Sequence, residues 1–363
     1  MPRPTLPRSV LLRRSVRPNI NPIIINRSFS STPTSCSPSP SSSRQIASSS
    51  SSSSAASSSS SSSASTFSTI NESEISHFSK LSSQWWDETG EFKLLHRMNP
   101  TRIEYIREKV AFDYSSEQAP EWTFENRYEI EIENEKRGQG LWLSGKSILD
   151  VGCGGGLLSE SLSRLGGNVL AIDASKENIN IANIHSNQDS YLKKQIKKGQ
   201  LEFRHTSAEV LRDQNEKFDL VCSMEVVEHV DKPTEFLKCL GDMVKPGGHL
   251  ILSTISRTPL SQLLTLTLAE DVLKLVTPGT HTYKKFIKPE ELRRFVYSDM
   301  GGNEIWYKEE NSNDIVKNEI GETRGIIYDP LAGSWKLWNG VQGSLWKGLG
   351  EQCNYMFHAR KRL

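Results

Sequence analysis

The chain has 363 residues, 44 Lys and Arg against 43 Asp and Glu, and enough apolar sequence for a full hydrophobic core. Five scattered cysteines without a CxxC pair exclude a zinc finger or disulfide framework and fit a reducing compartment. No stretch reaches the roughly 18 uninterrupted apolar residues of a membrane span, and the charge balance does not point to nucleic acid.

Residues 1–70 stand apart from the rest. They hold Arg3, Arg8, Arg13, Arg14, Arg17, Arg27 and Arg44, no lysine and no acidic residue, and run into a serine tract that continues through Ser63. Arg-rich, Ser-rich and acid-poor composition is that of a mitochondrial transit peptide with a low-complexity segment behind it. The apolar run at 23–25 is too short for a secretory signal, and "NRSFSS", with Arg27 and Phe29, looks like a processing site. Taking seven arginines from 44 leaves 37 basic against 43 acidic residues, so the mature part carries a net charge of about −6.

From Asn71 to Leu363 the composition is that of one globular domain. Phe78, Trp85, Trp86, Phe92 and Leu95 supply anchors for N-terminal helices. From Ser147 strands and helices alternate: "SILDVG", the helical "LLSESLSRLG", "NVLAID", the helical "SKENINIANIHS", "LEFRH", "FDLVCSM" and "HLILST". The alternation predicts an α/β fold, a mostly parallel sheet with helices on both faces. The C-terminal "QCNYMFHARKR" alternates like an edge strand.

"LDVGCGGG" places Asp150, Gly152, Gly154 and Gly156 at the end of the first strand. Glycines belong where a backbone turns tightly and approaches a ligand. Leu157 breaks the GxGxxG fingerprint and disfavours a nicotinamide dehydrogenase. Asp173 ends the second strand 21 residues after Gly152, where an acidic side chain accepts hydrogen bonds from ribose hydroxyls. A structural strand-to-helix turn is the plainer reading of the same glycines.

D-x-G-x-G-x-G with a following acidic strand end resembles motif I of class I methyltransferases, which bind S-adenosylmethionine. The resemblance implies a Rossmann-like fold with a seven-stranded sheet, and cofactor binding by Gly152, Gly154 and Asp173. "TSAE" follows the third strand where such enzymes contact adenine, with Ser207 where an Asp is common. "QWWDETGEFKLLHRMNPTRIEYI", "MEVVEHV", "KPGGHLILSTISRT", "GTHTYKKFIKPEEL", "GIIYDP" and "NYMF" together resemble the ubiquinone biosynthesis O-methyltransferase family over nearly all of residues 77–360. That resemblance implies methyl transfer to a phenolic oxygen of a polyprenylated catechol, at a dihydroxybenzoate and at demethylubiquinol. It also implies that Arg102 and Met224 touch the cofactor; the plainer readings are a surface ion pair and core packing. The chain departs from compact bacterial members by extra sequence at 110–146 and 330–352, and by Asp329 where the family has Asn.

Glu225, Glu228 and His229 stand at i, i+3 and i+4, which on a helix would put all three on one face. A catechol hydroxyl is mostly protonated at neutral pH, so it needs a general base or a divalent cation bound by both oxygens. The three side chains offer either: His229 as base, or a site for Mg²⁺, with Mn²⁺ or Zn²⁺ permitted by the imidazole. Ordinary solvated surface is the alternative.

A prenylated substrate resides in a bilayer. Residues 259–276, with Leu260, Leu263, Leu264, Val272, Leu275 and Val276, could form a helix lying in the membrane interface or a lid packed on the core. Lys284, Lys285 and Lys288 could meet anionic headgroups. The resulting expectation is a peripheral enzyme on the matrix side of the mitochondrial inner membrane, within a multi-enzyme ubiquinone biosynthetic complex. The competing readings are a non-catalytic assembly subunit of that complex and a methyltransferase for another small phenol.

Overall fold

The computed structural model describes residues 68–111, 140–264, 282–306, 321–338 and 350–363. The chain divides into two units, 1–62 and 63–363, and every described residue belongs to the second.

Helix α1 (Glu72–Leu81) starts at Asn71, whose side chain accepts the Glu74 N–H as an N-cap. A short turn of 3-10 helix carries the chain past Trp85 and Trp86 into α2 (Lys93–Ala111). Strands and helices then alternate as the sequence predicts: β1 (Ser147–Val151), α3 (Leu157–Arg164), β2 (Asn168–Asp173), α4 (Lys176–Gln188), α5 (Ser190–Lys197), β3 (Leu201–His205), α6 (Ala208–Asp213), β4 (Phe218–Met224), α7 (Pro233–Asp242) and β5 (Val244–Ile255). Beyond them lie α8 (Pro289–Asp299), β6 (Glu322–Asp329), β7 (Ser334–Leu337) and β8 (Asn354–Arg360).

The sheet order among the described residues is β3-β2-β1-β4-β5-β8-β6-β7, parallel from β3 to β5 and antiparallel beyond. The eight strands are one more than the seven expected, because β7 pairs along the outer side of β6. Near-continuous apolar runs in β1, β2 and β4 follow from burial on both faces. Ile148 and Leu149 illustrate the two-residue period. Leu149 packs with Val221, Leu240 and Phe357 on one side, and Ile148 with Tyr105, Leu162 and Met356 on the other.

Strand β8 is not at the edge. It lies between β5 and β6, with six of its seven residues buried. The polar positions that suggested a solvent face are satisfied internally: His358 lies 3.0 Å from His249 of β5, and the Asn354 amide reaches Glu225. Alternation reports polarity, and buried polar side chains with partners carry the same pattern.

Chain direction across the sheet reverses between β1 and β4. In open α/β sheets ligands bind outside the carboxyl ends of the strands at such a switch point. That places Gly152 after β1, Asp173 at the end of β2 and Met224 at the end of β4 around one crevice.

Phe357 is fully buried opposite Leu252 in the β5–β8 pairing. Phe357→Ala is expected to lower stability by about 3–5 kcal/mol, read from the urea midpoint with the slope unchanged.

Candidate active site

The crevice opens into a cavity of about 820 Å³. Its rim brings together α1, α2, the β1 and β4 ends, residues 260 and 264, and β6. Of the residues singled out in the sequence, Arg102, Gly152, Gly154, Asp173, Met224, Glu225 and His229 all line it; Glu228 does not.

The glycine loop is built for close approach. Gly152 and Gly154 have φ of +73° and +54°, a region costly for side chains. A Cβ on Gly152 would lie 2.4 Å from Val226, and one on Gly154 2.2 Å from the Trp85 ring. Gly154 N–H donates to Asp173 Oδ2 at 2.8 Å, and Ser175 N–H to Asp173 Oδ1 at 2.8 Å. Asp173 thus ties the loop to the second strand. Burial raises its pKa, against the hydrogen bonds from Ser175 and Gly154. Asn178 Nδ2 also donates to Oδ1 at 3.3 Å, so of a carboxylate's about four lone-pair sites roughly one remains for a ligand hydroxyl.

Trp85 and Trp86 clamp the same loop. Trp85 stacks on Phe92 at 3.9 Å between ring centroids and donates through Nε1 to Asn178 Oδ1 at 3.0 Å. Trp86 stacks on His185 and donates to Gly155 O at 3.0 Å. Sequence reasoning treated both as hydrophobic anchors and missed Asn178 and Ser175. Their signal was the Ser-x-x-Asn start of a helix directly after Asp173, where Ser175 is the N-cap.

Arg102 is buried on α2, with Nε and Nη2 lacking hydrogen-bond partners among the described residues. Its Nη2 lies 3.9 Å from Glu225 Oε1, an ion pair too long for a hydrogen bond. Burial lowers the guanidinium pKa, opposed by the charges of Glu225, Asp150 and Glu228, and the group stays protonated. Asp150 accepts Ser159 Oγ–H at 2.5 Å, and burial pushes its pKa up to about 6.

Residues 225–230 form turns, not the helix that the i, i+3, i+4 spacing suggested. Glu225 has φ +57° and its N–H extends the β4–β5 ladder to Ser253 O at 2.9 Å, so no helix starts at this residue. The three side chains consequently diverge. Glu225 accepts Ser253 Oγ–H at 2.6 Å, Glu228 accepts Thr254 Oγ1–H at 2.9 Å from below, and His229 Nδ1 lies 3.2 Å from Glu74 on α1. Among the described residues no three His, Cys, Asp or Glu side chains are grouped as a metal site.

The chemistry of these donors nonetheless suits a hard divalent cation. Glu228 Oε1 is buried without a hydrogen-bond partner among the described residues. Burial, then the neighbouring Glu225 charge, pushes the Glu228 pKa up to about 8. Glu74, in contrast, is held below the ordinary carboxylate range. Burial acts against this and is outweighed by hydrogen bonds from His229 and Lys285.

The sequence family described as "Methyltransferase domain" matches residues 131–297. The mitochondrial ubiquinone biosynthesis O-methyltransferase of Schizosaccharomyces pombe is 41% identical over 293 residues, 81% of this chain and 87% of that protein. The ubiquinone biosynthesis O-methyltransferase of Brucella ovis is 39% identical over 74% of this chain and 90% of its own length. The chain belongs to the ubiquinone biosynthesis O-methyltransferase family. A solved structure of magnesium protoporphyrin IX methyltransferase from Synechocystis PCC 6803 with bound SAH is also similar, at TM-score 0.37 and 18% identity over 73% of this chain and 100% of that one. As a family member the chain is an S-adenosylmethionine-dependent O-methyltransferase.

Several family-derived readings gain a structural setting. Ser207 caps α6 and Asp329 is paired with Lys336 across the β6–β7 turn, while its neighbours Tyr328 and Pro330 line the cavity. Leu260 and Leu264 line the cavity and Leu263 is 55% exposed; residues 265–281, and with them most of the interfacial-helix expectation, lie outside the described residues. Lys285 is paired with Glu74 and Asp231, so it serves the protein itself.

Gly154→Ala is expected to displace Trp85 and weaken S-adenosylmethionine binding by at least about tenfold, since a strained αL side chain alone costs of order 1 kcal/mol or more; titration calorimetry reads this. Because the Glu228 pKa is raised above its ordinary 4.5, the unfolded chain loses that proton first. Its contribution is present below about pH 4.5 and is lost as pH rises through about 8. Glu228→Gln is therefore expected to flatten that part of the stability–pH curve and to raise the melting temperature of ligand-free protein above neutral pH.

Proposed function

We propose that the protein transfers the methyl group of S-adenosylmethionine to a catechol hydroxyl of 3,4-dihydroxy-5-polyprenylbenzoate and of demethylubiquinol. The observation that carries this reading is the mixed lining of the cavity. Arg102, Asp150, Asp173 and Glu225 line it together with Leu94, Leu260, Leu264, Ile327 and Trp335. A ring with two hydroxyls and a long apolar substituent suits such a lining. The intact glycine loop, Asp173 and Arg102 speak against a non-catalytic assembly subunit, which has no use for a strained cofactor cradle.

When bound, S-adenosylmethionine supplies an electrophilic methyl on a sulfonium, which a catechol oxygen takes as the carbon–sulfur bond breaks. The residues of the chain prepare that step. Arg102, which lines the cavity with Nε and Nη2 lacking hydrogen-bond partners among the described residues, would hold the methionine carboxylate by charge-assisted contacts. Asp173 would accept the ribose hydroxyls, Gly152 and Gly154 would allow the loop to touch the ligand, and Met224 would pack beside it. Where no cation takes part, His229 would instead take the hydroxyl proton as general base.

Glu225, Glu228 and His229, whose side chains diverge here, would have to converge to hold a divalent cation, Mg²⁺ by the hardness of the carboxylates. Supporting this is the partnerless Glu228 oxygen and the mutual repulsion of the two carboxylates. Held by these residues, such an ion would supply Lewis acidity toward the substrate hydroxyl.

The composition of residues 1–70 supports a transit peptide ahead of a catalytic domain at 71–363, and the Schizosaccharomyces pombe relative is named mitochondrial. Exposed Leu260 and Leu263 beside the cavity mouth support peripheral contact with the matrix face of the inner membrane, where a multi-enzyme complex would hand over the prenylated ring.

The test is transfer of labelled methyl to a short-chain prenyl dihydroxybenzoate, with and without EDTA and after Mg²⁺ is restored. Transfer abolished by the chelator and recovered with Mg²⁺ is the expected result. Transfer indifferent to EDTA would reject the cation and leave His229 as base; binding of S-adenosylmethionine without any transfer would reject the enzymatic reading.

A further inference from the structure

The second half of the glycine loop is gripped from outside the cavity. The peptide unit between Gly155 and Gly156 is bonded at both ends: its carbonyl accepts Trp86 Nε1–H at 3.0 Å, and its N–H donates to Cys153 O at 2.9 Å. A glycine stands on either side of that unit, and Gly156 has φ +87°, so no side chain opposes its rotation. Trp86 is in turn held by helices. Its indole lies flat on the His185 ring of α4, at 3.4 Å between centroids and 7° between planes, and His96 of α2 packs against it edge-to-face at 5.6 Å. His185 Nδ1 lies 2.8 Å from Glu160 Oε1, which also accepts Ser186 Oγ–H at 2.7 Å. Glu160 is buried in the first turn of α3, and its own N–H donates to Gly156 O at 2.9 Å. The contacts close on themselves, from Gly155 through Trp86, His185 and Glu160 back to Gly156.

We propose that His185, held by Glu160, is a positioning residue for the cofactor, acting through Trp86 on the Gly155 peptide. Gly152, Cys153 and Gly154 line the cavity, whereas Gly155, Trp86, His185 and Glu160 are not among its lining residues. The network therefore lies behind the part of the loop that meets a ligand. A parallel imidazole on one face of the indole fixes the direction of its N–H; with that face bare the ring can turn about its side-chain torsions, and the bond to Gly155 weakens. A loop that meets a ligand with its backbone binds more tightly when its shape is set beforehand, because less ordering remains to be done on binding. The effect falls on S-adenosylmethionine affinity and not on the phenol. The inference rests on the reading of Gly152 and Gly154 as the cofactor cradle.

The experiment uses the full-length chain with His185→Ala, Trp86→Phe, the double variant of these two, Glu160→Ala, Glu160→Gln, Gly154→Ala and the exposed control Ile184→Ala. Titration calorimetry reads S-adenosylmethionine affinity, and transfer of labelled methyl to a short-chain prenyl dihydroxybenzoate gives kcat and both KM values. His185→Ala should weaken S-adenosylmethionine binding about 2- to 12-fold, the range of an aromatic pair, with kcat at saturating cofactor and the KM for the phenol unchanged. Trp86→Phe keeps a ring for stacking and loses the N–H, and should weaken binding by about the same factor. In the double variant the loss should match that of Trp86→Phe alone within about twofold, because His185 then has no N–H left to aim. Glu160→Ala should weaken binding as His185→Ala does, and Glu160→Gln should recover most of that loss because its amide oxygen still accepts from the ring. Ile184→Ala should match wild type.

Wild-type affinity in His185→Ala would overturn the proposal. So would losses that add in full in the double variant, or a decline of His185→Ala in kcat and both KM values together, because those patterns belong to a packing contact that acts on the fold as a whole. Gly154→Ala separates the proposal from the reading beneath it. Where Gly154→Ala weakens S-adenosylmethionine binding and His185→Ala does not, the positioning role alone is rejected; where Gly154→Ala also binds as wild type, the cradle reading is rejected and the proposal with it. If Glu160→Ala does not fold, the cycle between His185 and Trp86 still decides.

Discussion

Arg102 sits buried among Asp150, Glu225 and Glu228, and the active crevice is organised around that one cation. A desolvated guanidinium is tolerable only with opposite charge nearby, and buried carboxylates equally need it. Yet the closest approach, to Glu225, is 3.9 Å, so attraction is present without a committed hydrogen bond. The arrangement keeps the guanidinium charged, held and available. Glu228 is buried beside Glu225, and burial first, then the Glu225 charge, pushes its pKa up to about 8 against the pull of Arg102.

The N-terminal segment supplies more of the site than its position ahead of the α/β core suggests. Trp85 and Trp86 press on the glycine loop, Arg102 enters from α2, and Glu74 and Phe78 approach the β4 turn from α1. The α/β core supplies the strand ends and glycines common to any such crevice. What distinguishes this one, an arginine from a helix and two tryptophans on a loop, is attached before the first strand.

Strands β1, β2 and β4 were legible because burial on both faces leaves short apolar runs bounded by turns, β3 because its side chains alternate, and the glycine loop because its spacing answers to backbone geometry. The β8 position was not legible, since Asn354 and His358 are polar and buried, and a pattern of polarity does not record partners. The Glu225–His229 turn misled for a related reason. Helical spacing fits the letters, but Glu225 adopts a left-handed φ of +57° that residue type alone does not announce. Glu74 and Asn178 were invisible as site residues because their role is created by contacts across 155 and 93 positions.

The electrostatics of the crevice tie its two proposed ligands together. Arg102 is the cation nearest to Glu225. A cofactor carboxylate drawn to the same guanidinium would share its charge and leave Glu225 with less compensation than before. A divalent cation, were one held by Glu225, Glu228 and His229, would supply compensating charge, and by linkage would equally favour the anionic end of the cofactor through Arg102. Low dielectric around Glu228 makes this exchange large in energy compared with the same charges at the surface. An isolated ion pair would gain from remaining closed; a pair held at 3.9 Å, with an unsatisfied oxygen beside it, gains from being completed by what it binds.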